Sequence, residues 1–199
     1  MKEKLQKGTY GYLDKNKKRE WIRAIVMLSI PIIIFIAGWL INGTRMTVVT
    51  VVAILGCLPG CNQMVRAIMA SRYHSIDQFL YEETEAARGE CPVLYENVFT
   101  TYEKNFFIDC LAISGREIIG YASDTKMNTE EAAEHIRTIL QSNAYKQNVR
   151  IVSEKRVFLE RLYTFASLGP AQIPFEEDKR YPGMNRDEVI QYILMAISL

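Results

Sequence analysis

The sequence predicts a two-span membrane hairpin of α-helices followed by a cytoplasmic α+β domain with a roughly four-stranded sheet, in the order αβββαβαα. Three observations carry that prediction. Apolar residues are bunched between Trp21 and Val65 and most charges lie outside, although the 199-residue chain, 49% hydrophobic and 24% charged, averages as ordinary. Lys and Arg crowd ahead of the first apolar run and nearly vanish between the two runs. Beyond Arg88, stretches rich in Val, Ile, Phe and Tyr alternate with helix-capping and turn residues.

The first run, Ala24 to Thr44, has no charged residue. At a rise of ~1.5 Å per residue, about 20 such residues cross a hydrocarbon core of ~30 Å. After Arg45 a second uncharged run reaches Val65, where Arg66 stops it. A cleaved signal peptide would end its apolar core in a small-x-small site, and GWLING is a poor match. Lys2, Lys4, Lys7, Lys15, Lys17, Lys18, Arg19 and Arg23 precede the hairpin, Arg66 and Arg72 follow it, and only Arg45 lies between. The positive-inside rule then puts both termini in the cytoplasm of a cell-membrane protein. Trp21 and Trp39 fall at opposite ends of the first span, where indoles anchor to the interface.

In lipid, helices associate through small residues that let backbones approach. Gly56 and Gly60, with Cys57 and Cys61 one position on, supply such a seam for the partner span or for a second copy. Pro31 and Pro59 should kink their helices at similar depth. Neither uncharged run carries an acid, Lys, Arg or His, which disfavours an ion pathway.

No Gly or Pro interrupts Asn62 to Arg88, so the second span is expected to continue as a stalk helix over residues 67–90. The organisation is thus a basic segment (1–23), a hairpin (24–66), the stalk and an α+β domain (91–199). In the domain, strands are expected at Val93–Tyr102, Phe106–Ile113, Glu117–Ala122 and Gln147–Ser153. Asn128 with Glu131 forms a capping-box signal for a helix to Ser142. Ser153 is expected to cap another helix, and Asn185 a last one ending VIQYILMAISL, apolar on nearly every face and so buried.

Across Ile76–Ser153 this order resembles the αβββαβ core of the PD-(D/E)xK nuclease-like fold. That family places an acid on the second strand and Asp/Glu-x-Lys on the third. Asp109 fits the first position and Glu117 opens the third strand, but Ile119 stands where the lysine is needed. The resemblance implies, at most, a membrane-tethered metal-dependent hydrolase with a degenerate site. By alternation Asp109 shares a strand face with Phe107, Leu111 and Ile113, so its carboxylate is expected on an apolar face.

Arg150, Lys155 and Arg156, with Arg161, cluster around the fourth strand as a candidate contact for phosphate or anionic lipid. Cys91 and Cys110 are expected as free thiols, and His74 and His135 are too far apart in sequence for a zinc spacing. There is no glycine-rich phosphate loop, G-x-S-x-G, H-E-x-x-H or C-x-x-C, so no cofactor is expected. The net charge of +1 gives no bulk signal for nucleic acid. The expected function is a non-enzymatic, membrane-anchored binding or regulatory module, with the bilayer and a protein partner or a second copy as its contacts.

Overall fold

The two uncharged runs fold as helices α1 (Tyr12–Asn42) and α2 (Val48–Ala70) in a computed structural model that describes residues 7–43, 48–101, 104–169 and 180–198. Helix α1 begins well before the uncharged run, so Lys15, Lys17, Lys18, Arg19 and Arg23 are helical rather than part of a separate segment. The chain divides into two units: Leu13–His74, and the flanks that run up to Tyr12 and onward from Ser75.

The stalk is not continuous. Helix α2 ends at Ala70, residues 71–77 are not helical, and α3 starts afresh at Gln78–Arg88 behind an extended Asp77. Ser71 closes α2 by donating its hydroxyl to the Ala67 carbonyl at 2.8 Å, and Ile76 is buried instead in the core of the flanking unit. That break needs neither Gly nor Pro, so no local signal announces it.

The flanking unit is a mixed sheet between two helical layers. Strands β1 (Val93–Thr100), β2 (Asn105–Ser114), β3 (Glu117–Tyr121) and β4 (Asn148–Val152) lie in the order β1-β2-β3-β4. The first two pairings are antiparallel, and β3–β4 is parallel across helix α4 (Thr129–Ser142). Helices α5 (Lys155–Leu168) and α6 (Arg186–Ile197) complete it. On one face α4 and α6 bury Ile136, Leu140, Ile190 and Leu194 against Ile108, Leu111 and Ile118. On the other, α3 and α5 bury Leu80, Phe158, Leu162 and Phe165 against Tyr95, Cys110 and Ile119.

Local signals set the helix ends. The Asn128 carboxamide oxygen accepts from the Glu130 and Glu131 amides at 3.2 Å, while Glu131 turns away to Lys104, so only half of the expected box forms. Asn185 and Glu188 make the complete reciprocal box on α6. The cap of α5 is Glu154 rather than Ser153, without a side-chain bond. Helix α6 buries one face only, through Val189, Ile190, Ile193 and Leu194, and leaves Tyr192 exposed.

Candidate functional site

Asp109 and Glu117 are not brought together. Ser114 pairs with Glu117 at the β2–β3 turn, and Asp109 lies five positions further along β2. At ~3.4 Å per residue that is roughly 17 Å, too far to share a metal. Asp109 is only 4% exposed and accepts from the Ser123 amide at 2.6 Å and the Ser123 hydroxyl at 3.0 Å. Burial pushes its carboxyl above the ordinary carboxylate range, with the Ser123 bonds opposing. Glu117 is half-buried and paired with Arg161. Among the described residues no three His, Cys, Asp or Glu side chains are grouped to hold a metal.

The basic residues around β4 also part company. Lys155 pairs with Glu83 at 2.7 Å and Arg156 with Glu160 at 2.8 Å. Arg150 has no ion pair among the described residues. It lines a polar cleft of about 400 Å³ between β3–β4 and α5 with Asn148, Glu117, Arg161, Glu160 and Thr164. Such exposed pairs are worth ~0–1 kcal/mol, and they leave the expected anion contact to Arg150 alone.

A residue not anticipated from sequence organises the edge of the sheet. Glu96, in mid-β1, has φ +57° and is 2% exposed. The ladder skips the position where it faces Asp109. Both strands change face there: Leu94 and Phe99 reach the same layer, as do Ile108 and Leu111, whereas Phe107 joins Cys110 and Ala112 on the other. The alternation that put Asp109 with Phe107, Leu111 and Ile113 therefore fails at Asp109 itself. The Glu96 carboxylate accepts from the Gly11 amide at 2.7 Å and the Ser75 hydroxyl at 3.1 Å. Next to it the Tyr95 amide donates to the Gly8 carbonyl at 2.9 Å, and Tyr10 stacks on Tyr81 with centroids 4.4 Å apart. Residues 7–12 thus form a strap on β1. A glutamate inside VLYENVFT was the sole sequence signal, and nothing in it announces a left-handed backbone.

In the other unit, the buried described residues between Trp21 and Ala70 are Ala24, Pro31 and Gly38 on α1 and Ala53, Gly60 and Ala67 on α2. Each set is spaced by seven, the repeat that keeps one seam facing a partner helix. A Cβ at Gly60 would lie 2.8 Å from Leu28 Cδ2, and one at Gly56 would lie 3.3 Å from Pro31 Cβ, so both glycines pack on α1. Cys57 is half-buried and Cys61 exposed, off the centre of the seam. The large apolar side chains point outward: Ile25, Ile33, Leu40, Val51, Ile54 and Leu58 are all more than half exposed. At the charged end, Glu20 pairs with Arg23 at 2.6 Å and accepts from the Gln63 amide. Trp21 Nε1 there donates to Ser71 Oγ at 2.8 Å, while Trp39 is exposed toward the opposite end.

The chain matches no protein-family model, no curated protein and no solved structure.

Proposed function

We propose that the chain is a two-pass integral membrane protein whose α/β unit is a binding or regulatory module held at the cytoplasmic face, with both termini on that side. The observation that carries this reading is the inverted hairpin, with small residues inside and large aliphatic ones outside. A water-soluble helix pair gains stability by burying its Ile, Val and Leu. In lipid that gain disappears, and close approach through Ala and Gly holds helices together. Both helices are long and apolar enough to cross a bilayer, yet 17% of the most apolar window of each is buried, where a core helix would be mostly buried.

The strap supports the even number of crossings. Residues 7–12 precede the hairpin, and β1 follows it, yet Gly8 and Gly11 hydrogen-bond to Tyr95 and Glu96. A single crossing would put those partners on opposite sides of the membrane. The side follows from Lys17, Lys18, Arg19, Arg66 and Arg72 at the shared end of the two helices. On this reading the hairpin's partner is lipid, and the partner of the α/β unit is a protein or a second copy. The hydrolase alternative has the element order in its favour, with the acids it would need held apart by the β2–β3 register.

Cysteine labelling tests topology, in a background with Cys57 and Cys61 replaced by Ser. An impermeant maleimide should modify Asn42→Cys on intact cells and Glu90→Cys only after lysis. Labelling of Glu90→Cys on intact cells would reverse the orientation, and release of the chain from membranes by alkaline carbonate would overturn the spans.

A further inference from the structure

We infer that Glu96 is a latch that closes the two roots of the hairpin onto β1. Gly11 and Ser75 lie within two residues of where the chain passes into and out of the Leu13–His74 unit, and a single carboxylate accepts from both. The chain between them is 64 positions long (75 − 11), so closing it costs loop entropy that the latch opposes. Two features mark the residue as more than core filler. It is a buried acid whose backbone occupies the left-handed region that non-glycine residues avoid, a conformation that persists only when its surroundings over-determine it. And its carboxylate accepts from both hairpin roots at once. Each arm is charge-assisted, which makes it stronger than an ordinary neutral bond.

Opening the latch frees the strap and the 71–77 connection while leaving the sheet folded, because Leu111, Ile113 and Ile118 are packed by α4 and α6 independently of it. The two roots and the state of β1 are thereby linked through the Glu96 carboxylate. This inference does not rest on the membrane reading: the latch acts on the roots whatever surrounds the helices.

Hydrogen–deuterium exchange on the full chain in detergent tests it, comparing wild type with Glu96→Gly and Glu96→Gln. Glycine tolerates the backbone and lacks the carboxylate, so exchange should rise about tenfold or more over residues 8–12 and 73–77 and stay unchanged over 108–121. Glutamine keeps the shape with one accepting oxygen, so it should loosen one root and spare the sheet. Wild-type exchange at both roots in Glu96→Gly overturns the latch. Should Glu96→Gly exchange throughout, Glu96→Gln decides: a loosened root with a protected sheet supports the latch. Wild-type roots, or a rise spread evenly through the sheet, makes Glu96 an ordinary core residue and overturns it.

Discussion

Asp109 shows how a buried acid can be satisfied without being catalytic. Its two oxygens accept from one residue, Ser123. When protonated it can still accept from the amide and donate to the hydroxyl. An acid whose folded pKa lies above the unfolded 3.8 holds more protons in the folded state between those two values, so stability falls as pH rises through that interval. Asp109→Asn removes the titration and leaves a constant offset. The denaturant midpoint of wild type relative to Asp109→Asn should therefore decline from acid toward neutral pH, and parallel profiles would contradict the assignment. A second residue-scale expectation concerns the thiols. Cys91 donates to the Ile113 carbonyl at 3.1 Å, and burial pushes its thiol up to about 11. Cys110 is fully buried beside Thr84 and is pushed up by the same cause. A maleimide at neutral pH in detergent should modify exposed Cys61 first and reach Cys91 and Cys110 only on unfolding. Prompt modification of Cys91 in the folded protein would contradict its burial.

At the scale of elements, what the sequence made legible was whatever depends on near neighbours. All four strands lie within a few residues of their expected bounds because alternating apolar residues and turn pairs such as Ser114-Gly115 are local signals. Asn128 and Asn185 gave the starts of α4 and α6 for the same reason. The stalk was misread because α2 ends on a serine bond and a buried Ile76, both tertiary choices. The pairing of Lys155 with Glu83 was equally hidden, since that partner comes from α3, whereas Arg156 with Glu160 is an i,i+4 pair within α5 and was open to a local reading. The hairpin seam was half visible: Gly56 and Gly60 stood out at spacing four, whereas the sevenfold repeat needed both helices side by side. Gly60→Leu should push against Leu28 and spread the pair, lowering the melting temperature by the equivalent of on the order of 1 kcal/mol. Detergent-phase size should not change, because the seam is internal. A smaller species would mean that this face joins two copies.

At the scale of the whole molecule, the flanking unit is discontinuous in sequence, its strap made before the hairpin and its sheet after it. That ordering has a consequence in time. Eighty-seven residues (95 − 8) separate Gly8 from the Tyr95 amide that will bind its carbonyl. At ~5–20 residues per second, the ribosome leaves the strap waiting for about 4–17 s while both apolar helices are made. On the proposed membrane reading, only a chain whose two helices have both returned to the starting side can then dock its strap. A nascent chain with one helix left behind keeps this part of the β1 edge bare, with the Tyr95 amide unmet and the Gly11 arm of the Glu96 carboxylate unmade. Such an edge is what quality-control proteases and chaperones meet in an unfinished protein. On that reading, the placement of six residues ahead of the hairpin turns correct insertion into a precondition for finishing the fold.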